Sequence, residues 1–419
     1  MSTSQPLVIV GASYAGTQLA ASARELGFDA PIVLIGDERH APYQRPPLSK
    51  GLLTGKTTVE QLPLRGPDFF VDNSIDLRLG LRATAIDTTA RRVMLDDGGS
   101  LDYGWLAIAT GARCRPLPVS GASLEGVFDL RTLDDALRVS DALSRARRAC
   151  VIGGGFIGLE VASALSARGA EVTVIESQPR LLARVFPPVM SDYVESSHRK
   201  HGVTLLTGRG VRALHGGAGG RVEAVELDDG TRICCDMVVL GIGVLPNDEL
   251  AAQAGIATGN GILTDALGRT SVPGVLAVGD VANMALPSIT AAGGPARVRL
   301  ESIQAANDGA RAAASVLVGH EQPFAGVPWF WSDQYELKFQ MAGLPLPSDQ
   351  AVLRGDMAGD RFTLFYLRDG ALAAAHAVNR PAEHMLARKL IASQARIPAE
   401  VLSDPTADLK PFSSPRPHG

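Results

Sequence analysis

The chain has 419 residues, enough for about three domains of roughly 150 residues each with large buried cores. Apolar residues make up 46% and charged residues 20%, a globular profile that excludes a disordered chain. Its 40 basic and 44 acidic residues leave a net charge of -4, too small to hold the whole molecule on nucleic acid or on a membrane surface, so any charged docking patch must be local.

Only Met1 to Pro6 precede the strand-like run Leu7 to Val10, which leaves no room for a signal sequence. No run of about 18 apolar residues occurs, so no membrane association and a cytoplasmic location are expected. The opening segment LVIVGASYAGTQLAASARELG then reads as strand, tight turn and helix. Its turn carries Gly11, Ser13 and Gly16 at the spacing G-x-G-x-x-G, with Ser13 in place of the middle glycine and Tyr14 and Ala15 between. Gly11 permits the sharp turn, the small Ser13 lets a pyrophosphate approach the backbone, and Gly16 lets helix and strand pack closely. The helix start offers free N–H groups to phosphate. The next strand, PIVLIG, ends at Asp37 and Glu38, and Asp37 stands 21 residues beyond Gly16, where a carboxylate can bond adenosine ribose hydroxyls. Such a turn is also a packing solution in many α/β proteins.

The same unit recurs. ACVIGGGFIGLEVASALSARGAEVTVIE has the complete set Gly153, Gly155 and Gly158, with Phe156 and Ile157 inside it and Glu176 closing the second strand 18 residues on. Two dinucleotide sites in one chain imply two different dinucleotides, with hydride transfer between them the economical explanation. Between the units, LAIATGARCRPLP, with Ala109, Thr110 and Gly111, reads as a strand leaving the first domain for the second. Farther on, TSVPGVLAVGDVA puts Gly279 and Asp280 at the end of an apolar strand, where a carboxylate can accept from a chain of sugar-like hydroxyls. From about residue 323 alternating apolar segments broken by turns such as Asp369-Gly370 read as antiparallel strands, followed by a helix with Pro381 in its first turn. His215 to Gly220 reads as a loop tip, and LKPFSSPRPHG as a tail that does not pack as a helix. Cys114, Cys150, Cys234 and Cys235 form no C-x-x-C pair and no cluster with histidine, so reduced thiols and no metal site are expected.

In this order, Gly11 to Gly16, Ala109-Thr110-Gly111, GGGFIG, Gly241-Ile242-Gly243 and Gly279-Asp280 resemble the two-dinucleotide flavoprotein reductases. Disulfide-reducing members need cysteine soon after the first unit, and DERHAPYQRPPLSKGLL has none. Its Arg45-Pro46-Pro47-Leu48-Ser49-Lys50, together with RLESIQAANDGARAAA and VPWFWSDQYELKFQMAG, is similar to the ferredoxin reductases of bacterial monooxygenase and dioxygenase systems. The resemblance implies an α/β fold of glutathione-reductase-like architecture, with two Rossmann-like domains and a C-terminal α+β domain. The expected FAD-binding domain is discontinuous, 1–113 and 245–322, around an NAD-binding domain at 114–244, with the third domain at 323–419.

By the same resemblance FAD meets the first fingerprint with Ala15, Asp37, Glu38, Arg45, Pro46, Lys50, Ala83, Arg131, Asp280 and Ile303, some through backbone alone. NADH meets the second with Glu176 and Arg184, and Glu176 favours NADH by repelling the extra phosphate of NADPH, which Arg180 and Arg184 can soften. Lys50 and Glu160 are implied to be the pair nearest the reaction, positioning the nicotinamide carboxamide; on residue type alone Lys50 fits a solvated loop and Glu160 a helix-dipole partner. Trp331 is expected to cover the isoalloxazine, with Trp329 nearby. The chain has no iron-sulfur or haem ligand set, so the one-electron carrier must be a separate [2Fe–2S] ferredoxin, docked through Arg297, Arg299, Arg311 and Lys338. Competing readings are an NADH diaphorase or oxidase and a redox-sensing flavoprotein resembling apoptosis-inducing factor. Oligomeric state is left open.

Overall fold

A computed structural model describes residues 5–286 and 297–413, and the end of the Pro-rich tail lies outside them. Two parallel sheets of the same design organise the first three quarters of the chain. In the first, the strands run Val275–Ala277, Trp105–Ile108, Leu7–Val10, Ile32–Gly36, Ile75–Leu79 across the sheet. Every residue of Leu7–Val10 and Ile32–Gly36 is buried, as expected where helices and a second layer cover both faces. On one face the Ala-rich helices Tyr14–Glu25 and Ile303–Leu317 pack against each other, their small side chains permitting close approach. The other face carries the antiparallel layer Ala83–Asp87, Arg92–Leu95, Ser100–Asp102.

The second sheet repeats this order with Thr204–Thr207, Glu171–Glu176, Arg148–Ile152, Met237–Leu240 and Val127–Asp129. Helix Phe156–Ala167 follows its central strand. The chain passes between the two units twice, along Ala112–Cys114 and Val244–Pro246, and these segments pair antiparallel. Thr110 and Asn247 clasp the crossing: the Thr110 hydroxyl donates to the Asn247 carbonyl at 2.7 Å and the Asn247 amide to the Thr110 carbonyl at 2.8 Å.

The last domain is a five-stranded antiparallel sheet ordered Trp329–Gln334, Leu337–Gly343, Ala371–Val378, Arg361–Arg368, Gln350–Asp356, with helix Pro381–Ala392 against it. It is not loosely appended, since Leu337, Phe339 and Phe362 share one buried core with Leu159 and Val194 of the second unit and with Leu52 and Leu53.

One expectation needs correction. His215 and Gly216 are not loop tip but the end of strand Val211–Gly216, where His215 meets Glu226 across the sheet at 2.7 Å; only 217–220 turn. The glycines disguised a strand end held by a cross-strand pair. The tail, in turn, forms a short 3-10 turn at Lys410–Ser413.

Candidate functional site: two glycine turns and a buried lysine–glutamate pair

The first glycine turn needs glycine for reasons visible in its backbone. Gly11 has φ +121°, and a Cβ there would lie 2.1 Å from the Ala109 carbonyl oxygen. A Cβ on Gly16 would lie 2.0 Å from the carbonyl oxygen of Gly11, so the helix sits directly on the turn. Ser13 takes the N-cap position in extended conformation, yet its side chain makes no cap bond. The first-turn amides therefore remain available to an anion. The Ser13 hydroxyl instead accepts from Arg45 Nε at 3.3 Å. Burial pushes the neighbouring Tyr14 up to about 12, against the opposing pull of Arg45, so it is neutral at ordinary pH.

Arg45 ties this corner together. It donates to Glu38 at 2.6 Å and to the Arg131 carbonyl at 2.8 Å, while the Tyr43 hydroxyl donates to the other Glu38 oxygen at 2.5 Å. Glu38 thereby holds the Arg45-Pro46 loop, with acceptor capacity left on its oxygens. Asp37 instead points outward, pairing with Arg82 at 3.2 Å with both side chains largely exposed, next to Ala83. Gly279, at φ +77°, lies so close to Ala15 that a Cβ would approach the alanine methyl to 2.8 Å, and this contact brings Asp280 over the turn. One Asp280 oxygen accepts from Arg131 at 2.8 Å, and the Asp280 carbonyl accepts from Arg299 at 3.2 Å. A carboxylate has about four acceptor sites, so Asp280 retains capacity for a ligand hydroxyl. Ile303 opens the helix whose cap, Ser302, accepts from the Ala305 amide at 3.1 Å.

The second turn is built alike. Gly153 has φ +112°, its Cβ would sit 2.3 Å from the Gly241 carbonyl oxygen, and that of Gly158 would sit 2.0 Å from the Gly153 carbonyl oxygen. Gly155 differs, because a Cβ there would meet no protein atom within 4 Å. No packing demand accounts for that glycine, whereas an open cradle at a helix start fits a pyrophosphate. Glu176 accepts from the Gly154 amide at 2.6 Å and the Gln178 amide at 2.7 Å, so it braces the turn. Arg180 donates to the Ser191 hydroxyl at 2.7 Å and the Ala183 carbonyl at 3.0 Å and is committed to that loop. The Arg184 guanidinium lies 3.7 Å from where a Gly243 Cβ would stand, beyond Gly241 and Ile242. Ile157 is 47% exposed, while Phe156 packs edge-on against Phe330 at 4.9 Å.

Lys50, at the end of the loop that Arg45 holds, meets Glu160 of helix Phe156–Ala167, although 110 residues separate them. The Lys50 ammonium donates to Glu160 Oε2 at 2.7 Å and to the Pro46 carbonyl at 3.3 Å. The Ser49 hydroxyl donates to the same oxygen at 2.6 Å, and the Ser332 hydroxyl to Oε1 at 2.7 Å. The Glu160 side chain is 2% exposed and that of Lys50 is 18%. Trp331, just before Ser332, lies on the opposite face of the strand and 5.8 Å from Trp329, which Arg388 covers at 4.7 Å.

The uncapped first turn, the spare acceptor capacity of Asp280 and the open cradle at Gly155 are compatible with two bound dinucleotides. Arg131 and Asp280 were expected, though not as a pair, and Ser49, Ser332, Tyr43 and Arg388 were not expected at the site. Ser332 alone had a local signal, since strand alternation in WFWSDQ sets it opposite Trp331. Of the expected docking cations, Lys338 is exposed and the exposed Arg311 pairs with half-buried Asp308. Arg299 departs from the expectation: its side chain is 11% exposed and bonds Asp280 and Glu301, so it braces the site rather than facing a partner.

Residues 5–310 match the pyridine nucleotide-disulphide oxidoreductase family and residues 329–413 the reductase C-terminal family. The chain is similar to rhodocoxin reductase of Rhodococcus erythropolis, 43% identical over 404 residues covering 96% of this chain and 93% of that protein. It is 42% identical to the ferredoxin–NAD(+) reductase component of the anthranilate 1,2-dioxygenase system of Burkholderia cepacia, over 98% of this chain and all 100% of the other. Among solved structures, the covalent putidaredoxin reductase–putidaredoxin complex superposes with a TM-score of 0.93 at 38% identity, covering 97% of this chain and 98% of that one. The ferredoxin reductase for the CYP199A2 system of Rhodopseudomonas palustris gives 0.93 at 40% identity, over 98% and 100%.

Proposed function

The chain belongs to the pyridine nucleotide-disulphide oxidoreductase family, and on that premise we propose how its residues serve electron transfer from NADH through FAD to a ferredoxin. It is a ferredoxin reductase, an FAD- and NAD(P)H-dependent oxidoreductase whose partner is a [2Fe–2S] ferredoxin of an oxygenase system. Bound FAD supplies the redox chemistry, accepting hydride and releasing electrons singly. The protein supplies position and charge.

The carrying observation is the buried Lys50–Glu160 pair in a loop without cysteine, where disulfide-reducing relatives would need a thiol. In this reading the first turn and Asp280 hold FAD, the second turn holds the nicotinamide cofactor, and Lys50 and Glu160 orient the nicotinamide. NADH is preferred: Glu176 repels a 2′-phosphate while Arg180, the nearby cation that could relieve it, is already used by its own loop. We assign the FAD-binding domain to 1–113 and 245–322, the NAD-binding domain to 114–244 and the remainder to a third domain; the paired crossings at 112–114 and 244–246 support these limits. The ferredoxin docks through exposed cations including Arg311 and Lys338. A cytoplasmic location completes the reading, supported by four free cysteines and by NADH supply there. No helix among the described residues is long and apolar enough to cross a membrane.

The test is acceptor preference. Under anaerobic conditions NADH bleaches the yellow protein, and a panel of [2Fe–2S] ferredoxins is reduced much faster than oxygen, with a rate that falls as salt is added. Reduction of every ferredoxin no faster than oxygen would overturn the reading.

A further inference from the structure

We propose that Ser332, Gln334 and His198 are positioning residues for the Lys50–Glu160 pair, forming a one-way chain of hydrogen bonds that runs from the C-terminal hairpin into the reaction site. The inference rests on the proposed role of that pair.

The strand Trp329–Gln334 alternates its side chains: Trp329 and Trp331 lie on one face, Phe330, Ser332 and Gln334 on the other. On the second face Ser332 is 0% exposed and Gln334 1%, and beyond them lies His198 of helix Pro188–Lys200, also 1% exposed. Ser332 donates to Glu160 at 2.7 Å, so its single proton is spent there. Its oxygen accepts from the Gln334 amide nitrogen at 3.2 Å. That orientation leaves Gln334 Oε1 to accept from His198 Nε2 at 2.9 Å. Nε2 must then carry the ring proton, and Nδ1 accepts from the Tyr335 hydroxyl at 3.2 Å. Burial first, offset in part by Gln334 and reinforced by His201, holds His198 down to about 4, consistent with one ring proton at neutral pH.

Every donor in this series points towards Glu160. Reversing Gln334 would set its NH2 against the His198 N–H and its carbonyl against a serine that has no second proton to give. The hairpin turn is also specified. Tyr335 sits at φ +55°, and its amide donates to the Ser163 hydroxyl at 2.7 Å, which anchors the turn to the helix bearing Glu160. Leucine or phenylalanine would pack at these positions without three buried polar groups to satisfy. The polar series aims the Ser332 proton at Glu160 Oε1, leaving Oε2 for Lys50 and Ser49. A chain of aligned bonds strengthens its terminal donor, and it ends on a carboxylate. Since an amide does not shuttle protons, the chain's effect is orientation.

The experiment measures binding of a tetrahydro analogue of NADH, which cannot give hydride, by the change in flavin absorption of the FAD-loaded protein. ADP-ribose, which lacks the nicotinamide, is measured in parallel by calorimetry. Ser332→Ala should weaken the analogue about tenfold, the worth of one charge-assisted bond, and leave ADP-ribose within about twofold. Gln334→Met should weaken the analogue about threefold, and Ser332→Thr, which keeps the hydroxyl, should restore it. Equal weakening of both ligands by Ser332→Ala, or no weakening in either Ser332→Ala or Gln334→Met, overturns the positioning role. Glu160→Ala separates the two levels. If it leaves analogue binding intact, the nicotinamide-orienting role of the pair itself is wrong; if it weakens binding while the Ser332 and Gln334 variants do not, only the relay is wrong. Should Ser332→Ala fail to fold, Gln334→Met decides the matter by the same criterion.

Discussion

Removing the Asp280 carboxylate tests the proposal that the first glycine turn and Asp280 hold FAD. In the structure one oxygen pairs with Arg131 at 2.8 Å, with side chains 21% and 28% exposed, while Gly279 packs against Ala15 and places the carboxylate over the turn. Asp280→Ala removes the acceptor proposed for a ribityl hydroxyl, worth about 1.5–3 kcal/mol for a charged acceptor, so FAD affinity should fall roughly 10- to 100-fold. The same change leaves the Arg131 guanidinium without its carboxylate, in a partly solvated place, so the apoprotein should lose only about 1 kcal/mol. Asp280→Asn keeps one acceptor oxygen and should fall between the parent and Ala. The assay is titration of apoprotein with FAD, followed through quenching of flavin fluorescence, beside a thermal melt of the same apoprotein. Parental FAD affinity in Asp280→Ala, or a large loss of apoprotein stability with no selective loss of FAD, refutes the reasoning and leaves Asp280 as a partner of Arg131 alone.

Glu176→Arg should move kcat/KM from NADH towards NADPH, because about 3 kcal/mol of repulsion at roughly 5 Å becomes attraction; a parent that already uses both cofactors equally would contradict the assignment. Gly155→Val should fold near parental stability, since no protein atom lies within 4 Å of its Cβ, yet raise KM for NADH, whereas Gly158→Val should disrupt the turn, its Cβ being 2.0 Å from the Gly153 carbonyl; equal melting temperatures in the two variants would count against this. Burial holds His198 and His384 down to about 4, and His376 to about 3, against an ordinary 6.5. The unfolded chain therefore takes up protons that the folded protein refuses. Stability is full above about pH 6.5 and is lost as pH falls towards 4, by about 3 kcal/mol for His198 alone. Denaturant midpoints across that range in the parent and in His198→Gln test the sign, and the variant should show the shallower decline.

The parts of the site that the sequence revealed are those where one position carries its own physical demand. Gly11, Gly16, Gly153 and Gly158 must be glycine because a backbone oxygen occupies the place of Cβ, and that demand leaves a residue type at a fixed spacing. The continuous apolar strands and the alternation after residue 323 announced themselves in the same way. Pairings across the chain left no such trace. Arg131 and Asp280 stand 149 residues apart, and Arg45 reaches back to Glu38 through a loop whose shape follows from Tyr43 packing beneath it. For the same reason the bracing of Glu38 by Arg45 left no mark in the sequence, and Arg299, expected on a docking face, instead supports Asp280. His215 was misread because glycine-rich composition speaks for turns, while the contact that keeps it in a strand lies on a different strand, at Glu226.

The doubled crossing at Ala112–Cys114 and Val244–Pro246 bears on how the molecule can be rebuilt. An insertion whose entry and exit lie side by side has, in effect, one attachment point, so the whole middle unit can be exchanged without stretching the first unit around it. A transplant from an NADPH-using relative would thus be a module swap instead of a rewriting of single positions. Two conditions decide whether it succeeds. The incoming unit must present a glutamate to Lys50, and it must offer apolar surface that matches Leu52, Leu53 and Phe339, because the far side of the insert is part of a core that three domains own in common.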